Sequence, residues 1–448
     1  MPALTKRNMV ASLAVAASLG TAIAAEAQVN GARETTIASL PAADAGSDNA
    51  TFSQDNRVAR LMAYDTAATN IVPGDTNGAR DVILVQRGSG AATRVSVGAG
   101  GVQANGASGR PSIDGDGKRA PHCVAFESTA SNLAAGDSAG DSDVFLRELR
   151  GGRTTLVSAG HTGATSAVVD GECDFVTYEA SGGVFVRDIK AGKTTRLGSG
   201  SNPDQQTNGK GVAYERGGQI YYQAFQKVNL KGSGGKKKGI KKLGGAKLAS
   251  KGRSGSGNGT SSDPVMDDNG FYVAFESNAT NLCTNLCKGV SGDENGATSD
   301  VFRRTLSSRA PSRDSMQMVS FSFSANSQGN AASNNPSMTG AGENIAFDSE
   351  ATNLRQSTGI TSIDPNGSTR DIYYWNFPRG RGYGNVSRES KEGPKGEFNG
   401  ASTNPGVSNR SNYIGFTSEQ TGQSGESNGA GIADVFSRFM GGGPSDAD

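Results

Sequence analysis

The sequence predicts an all-β chain: a seven-bladed β-propeller of four-stranded blades, its ring closed by an N-terminal strand that completes the last blade. Three observations lead there. Short runs rich in β-branched and aromatic residues alternate with Gly/Asp/Ser/Asn loops along the chain. The runs recur in a fixed order, seen most clearly between Cys123 and Ser158, where VAFES, DVFLREL and TTLVS follow one another. Glycine supplies 64 of 448 residues, about twice the usual share, without a collagen period, as expected for many tight turns.

In chain order, the first segment reads as a secretory leader over residues 1–27. Lys6 and Arg7 precede an apolar Met9–Leu19 run, and Ala25-Glu26-Ala27 offers a small-x-small cleavage site before Gln28. The apolar run is too short to span a bilayer, so no transmembrane segment is expected. No cysteine sits near the cleavage site, so a lipid anchor is not expected either. The mature chain is expected to be secreted or periplasmic. One propeller domain spans 28–440, with a disordered Gly/Pro/Asp tail at 441–448.

The first copy runs through LMAYDTAATNI, GDTNGARDVILVQR and ATRVSVG between Leu61 and Gly98. The second opens at Pro111 with PSIDGDG, and the third is a shortened version ending at Gly200. The fourth has GVAYERG and QIYYQAF, then a basic insertion over 227–251. The fifth, sixth and seventh are marked by FYVAFES, NIAFDSE and NYIGFTS. One aromatic per second strand sets the count: Tyr64, Phe126, Tyr178, Tyr214, Phe275, Phe347 and Phe416. Four strands per copy, with turns such as Asp-Gly between the first two, describe propeller blades. The seventh copy lacks its fourth strand, while Glu34–Leu40 reads ETTIASL, close to TTLVS. The N-terminal strand is therefore expected to fill that place, which leaves no exposed edge.

The pattern VAFES…ATNL…GD…SDVFxR…TTLVS resembles the WD40-like, TolB-type β-propeller repeat of exported bacterial proteins, over essentially the whole mature chain. The resemblance implies a propeller with a central channel, commonly used for protein interaction. The family's namesake carries an α/β domain ahead of its propeller, for which there is no room here between leader and first copy. A role in outer-membrane translocation is therefore not implied by the repeat.

Charge nominates no partner by itself. The formal net charge is +1, falling to zero once the leader is removed, so nucleic acid is not expected as a ligand. The anomaly is Lys227–Lys251, with nine lysines and no acid, which leaves −8 on the rest of the chain. Interleaved with glycine, it is expected as a mobile loop on the face opposite the Asp/Asn-Gly loops. Lys236, Lys237, Lys238, Lys241 and Lys242 are its candidate polyanion contacts, and a solvated neutral insertion is the alternative. It has no aromatics for base stacking.

Four cysteines in an exported chain favour disulfides. Cys283 and Cys287 are spaced to staple one loop, and Cys123 and Cys173 stand before equivalent strands of consecutive repeats. A CxxxC zinc site would need a second ligand pair, which is lacking.

Two motifs carry candidate chemistry. Asp75, Asn77 and Asp81, with Gly78 for the sharp turn, recur as Asp293, Asn295 and Asp300, and in weaker form at Asp137…Asp143, Asp364…Asp371 and Glu426…Asp434. They could surround calcium, although the spacing is shorter than an EF-hand and no bidentate Glu follows. A tight Asn-Gly turn is the alternative. No cofactor is required by the pattern, and calcium is the one considered. A related Asn-Gly-x-Ser connection recurs at Asn105–Ser108, Asn258–Ser261 and Asn399–Ser402.

The second motif is an acid directly after the marker aromatic: Asp65, Glu127, Glu179, Glu215, Glu276 and Asp348, with Thr417 in the last copy. Paired carboxylates serve glycoside hydrolysis, but six equivalent positions around a ring suit inter-blade hydrogen bonding better. Only His122 and His161 are present, with no triad order, no phosphate loop and no dinucleotide motif. A non-catalytic, monomeric binding scaffold for protein or cell-envelope ligands is therefore expected, using the Asp/Asn-Gly loop face. A loop-sited hydrolase or lyase acting on extracellular carbohydrate or peptide is the alternative.

Overall fold

Seven antiparallel blades, six of four strands and the fourth of five, with two small two-stranded sheets beside them, make up the described part of the computed structural model. It describes residues 35–39, 43–55, 59–115, 120–137, 140–229, 238–242, 244–252, 255–283, 287, 292–306, 316–322, 327–354, 366–377, 384–391, 398–410, 412–421 and 432–441. The leader expected over 1–27 lies outside these residues, as does the tail beyond Gly441. Among the described residues the helical content is the 3-10 turn Ala99–Gly101.

The innermost strands, in blade order, are Ser47–Phe52, Ser108–Ile113, Thr165–Val169, Ser201–Gln205, Ser261–Met266, Ser333–Met338 and Ser402–Val407. Each touches the next around the ring, and the first touches the last. The innermost strand of blade 1 is not evident from the repeat spelling, because its SDNATF lacks the proline seen in most other copies. In blade 7 the outermost position is taken by Thr35–Ile37, which pairs antiparallel with Asp434–Phe439.

The marker aromatics have a common physical role. In six blades the marker lies directly across from an aromatic of the third strand, and the rings stack: Phe126 on Phe145 at 5.8 Å, Phe275 on Phe302 at 5.9 Å, Phe347 on Tyr373 at 5.7 Å. Blade 1 pairs Tyr64 with Ile83 instead. Apart from Tyr221, which is partly buried, these residues are buried, so each cross-strand pair lies in the interior of one blade interface.

The "DV" that opens most third strands and the "VS" that closes the fourth are one device. Ser96 donates to Asp81 at 2.6 Å while its oxygen accepts the Val82 N–H, and Ser158, Ser320 and Ser390 do the same for Asp143, Asp300 and Asp371. In blade 7 the serine is Ser39, which donates to Asp434 at 2.8 Å. The arginine of "SDVFxR" reaches the preceding blade: Arg147 donates to Val97 O, Arg304 to Lys251 O and Arg438 to Lys391 O.

The basic insertion differs from expectation. Instead of a mobile loop, Gln219–Asn229 runs past the blade and pairs with Lys238–Lys242 as an antiparallel ribbon, and also with Lys247–Leu248. The reason is local: Ile240 is partly buried against the cluster containing Phe175, Leu197 and Phe225, which anchors the returning strand to blade 3. Residues 230–237, including Lys236 and Lys237, lie outside the described residues.

Candidate functional site

The centre of the ring is built from one irregular residue per blade. In every innermost strand the register slips at a bulge. The bulged residue has positive φ: Asn49 56°, Arg110 47°, Ser166 54°, Asn202 44°, Asp263 48°, Asn335 52° and Asn404 52°. Asn and Asp tolerate this conformation best, and five of the seven are Asn or Asp. Proline follows in five blades, as an edge strand allows, since its inner side needs no ladder N–H.

The acids after the marker aromatics hold these bulges. The N–H of Arg110 donates to Asp65 at 3.0 Å, Asp263 to Glu215 at 3.0 Å, Asn335 to Glu276 at 3.0 Å and Asn404 to Asp348 at 3.2 Å. Ser166 and Asn202 donate likewise to Glu127 and Glu179. Each bond joins an acid to the bulge of the next blade. Where the last blade has Thr417, its hydroxyl donates to Asp48 at 2.6 Å, and Asp48 accepts the Asn49 N–H at 2.7 Å. Seven carboxylates thus clasp seven bulges.

The bulges surround a channel of about 420 Å³. Their side chains line it, with the proline rings below and Thr51, Ser112, Val168, Asp204, Val265, Ser337 and Gly406 deeper in. Arg110 is the exposed member of the seven. Burial pushes the Glu276 carboxyl up to about 7, helped by Asp263, and Asp348 to about 6. Asp204 rises to about 7 and Asp300 to about 7, again chiefly through burial.

These directions set a pH dependence. Each of these groups titrates higher folded than in an unfolded chain, where carboxyls titrate at about 4. The stability they contribute is therefore complete below that value and is lost as pH rises through about 6 to 7. We expect a melting temperature lower by at least about 3 °C at pH 8 than at pH 5.5. A flat profile would contradict this, and differential scanning calorimetry reads it.

The Asp/Asn-Gly motifs are engaged by protein donors. Gln103 bridges Asp75 and Asp81, its amide 2.9 Å from each, and Arg94 lies 2.9 Å from Asp81 and 3.5 Å from Asp75. Asn77 donates to Ala104 O at 2.8 Å. In blade 5, Gln328 likewise bridges Asp293 and Asp300, and Asn295 donates to Gly329 O at 2.8 Å. Asp364 and residues 426–429 lie outside the described residues. With an amide or guanidinium already between the carboxylates, calcium would have to displace it. Melting temperatures in millimolar calcium and in chelator are accordingly expected to agree within about 1 °C. A larger rise would show a cation held by the folded state.

The Asn-Gly-x-Ser connections tie two loops of one blade together. Asn105 accepts the Ser131 N–H at 2.8 Å and donates to its hydroxyl at 2.9 Å, and Asn258 does the same with Thr280. Cys123 is disulfide-bonded to Cys173, joining blades 2 and 3, and Cys283 to Cys287 within one loop. Lys241 and Lys242 are exposed on the ribbon, and Lys242 donates to Leu197 O at 2.8 Å. Lys238 begins the returning strand. The channel-lining bulges were not among the sequence candidates. Their signal was the recurrent x-Pro of the innermost strands, at Pro111, Pro203, Pro264, Pro336 and Pro405.

No protein-family model matches the chain, and no curated protein matches it. Among solved structures it is similar to an oligogalacturonate lyase from Vibrio parahaemolyticus, with 10% identity, 91% of this chain and 93% of that one covered, and a TM-score of 0.48. It is also similar to the β-propeller domain of the Trilobed protease from Pyrococcus furiosus, at 8% identity over 88% and 96% of the two chains, with a TM-score of 0.47. TolB from Acinetobacter baumannii is a third, at 10% identity over 88% and 79%, with a TM-score of 0.34.

Proposed function

We propose that this chain is an extracytoplasmic binding scaffold that takes a protein or cell-envelope polymer on the face bearing the channel mouth. The observation that carries the reading is the ring of seven bulged residues. Six of them are partly buried polar side chains and the seventh is the exposed Arg110. All are held in place by the carboxylate clasp, so little ordering is left for a ligand to bear. The repeat-wide acids are meanwhile occupied with backbone N–H groups, which is a structural duty rather than a chemical one. Two disulfides suit an oxidising compartment. Among the described residues, no helix is long and apolar enough to cross a membrane.

Arg110→Glu tests the reading, because the side chain is exposed and its backbone N–H stays bonded to Asp65. Immobilised wild-type protein should retain a component of cell-envelope extract that the variant loses at unchanged melting temperature. Equal retention by both, or turnover of a polysaccharide or peptide by the wild type, would overturn it.

A further inference from the structure

We infer that the channel receives an organic cation, an ammonium or guanidinium group, passed over a ring of amide oxygens and held by Asp204 and Asp263. The inference rests on the channel-mouth reading above and names the chemistry of its ligand.

The orientation of the mouth amides is decided by the carboxylates behind them. Asn49 gives its side-chain N–H to Asp65 at 2.7 Å, Asn202 to Glu215 at 2.9 Å, Asn335 to Asp348 at 2.7 Å and Asn404 to Asp48 at 3.0 Å. One N–H of each amide, and both of Asn202, are spent on carboxylates, which turns the amide oxygen to the side away from that carboxylate, where it can accept. The bulge N–H groups are consumed by the clasp, and five prolines take N–H donors out of the wall below. The backbone of the lining is thus short of free donors, and the amide oxygens add acceptors to it.

Charge points the same way. Asp204, Asp263 and Asp268 line the channel against the single cation Arg110. Asp268 is already met by Asn409 at 2.7 Å, and Asp263 accepts from Asn202 on one oxygen. Asp204 is approached by backbone N–H groups, that of Met266 at 2.6 Å, and no cationic side chain among the described residues neutralises it. Behind the wall stand the seven clasping carboxylates, of which Asp65 and Asp348 are paired with Arg80 and Arg370. Low-dielectric walls focus such a field into the opening and favour a cation there. Arg110 at the rim would exclude a cation approaching from its side.

The test is calorimetric titration of the full mature protein with spermidine in one arm and a blocked tri-arginine peptide in the other, at physiological salt and pH 8, above the range in which burial keeps Asp204 protonated. Saturable binding of either probe is expected, and the arm that binds tells a free polyamine from a basic peptide. Asp204→Asn and Asp263→Asn should each weaken it about tenfold, as loss of one partly buried carboxylate from the channel wall would. The variants keep an oxygen for the Met266 N–H and the Asn202 N–H respectively, and their melting temperatures report that they fold. No binding of either probe, binding unchanged in both variants, or displacement of the probe by calcium alone would overturn the inference. Wild-type protein that retains its envelope ligand but takes neither probe removes the cation and leaves the channel-mouth reading standing. Protein that binds the probes but no envelope ligand does the reverse.

Discussion

Arg438→Ala is expected to cost about 3–5 kcal/mol in chemical denaturation, because it leaves a buried carboxylate without its cation. The Arg438 and Glu389 side chains are 2% and 1% exposed, with the guanidinium nitrogen 2.8 Å from the carboxylate. A second nitrogen donates to the Thr35 hydroxyl at 2.9 Å and to Lys391 O at 3.1 Å, and Ser387 donates to Glu389 at 2.6 Å. One side chain therefore joins blade 6, blade 7 and the N-terminal strand. Removing both charges together, as Glu389→Leu with Arg438→Leu, should recover part of the loss, since no orphan ion remains. Limited proteolysis should cut the single variant after the N-terminal strand sooner than wild type. A single-variant loss under about 1 kcal/mol would show that the pair is not holding these segments.

Phe275→Ala should cost about 3–5 kcal/mol. Phe275 is wholly buried and stacks on Phe302 at 5.9 Å, within a cluster that also holds Val273, Leu282 and Met316. The loss combines the transferred ring, the cavity left behind and a stacking contribution of about 0.5–1.5 kcal/mol. Blade 1 supplies the contrast. Tyr64 faces Ile83 rather than a ring, and its buried hydroxyl has no hydrogen-bond partner among the described residues. Tyr64→Phe is therefore expected to stabilise by about 1 kcal/mol, since it removes an unsatisfied polar group and little else. Destabilisation by Tyr64→Phe of more than about 1 kcal/mol would mean the hydroxyl has a partner after all.

Much of the architecture was legible because its signals are short-range and repeated. The marker aromatic, the alternation of each strand and the turn residues between strands are local properties. Their recurrence seven times over turns weak local signals into a ring of blades. Cysteine spacing likewise pointed to Cys123 with Cys173 and Cys283 with Cys287, the pairs that are bonded. The lysine stretch was misread because its glycine content suggested a loop, while one residue, Ile240, decided otherwise by docking on blade 3.

What the sequence determined by itself is the class of fold, the number of blades and the residues that fill their interfaces, since burial follows from local pattern. The tertiary structure alone decided what the polar repeats do. Asp65 meets Arg110 from 45 residues away, Glu276 meets Asn335 from 59, and Gln103 comes between Asp75 and Asp81 from a different loop. A carboxylate's duty depends on which donor faces it, and that donor is brought by the neighbouring blade or by another loop of its own. The channel follows for the same reason: its wall takes residues from each of the seven innermost strands, and only closure of the ring sets them side by side.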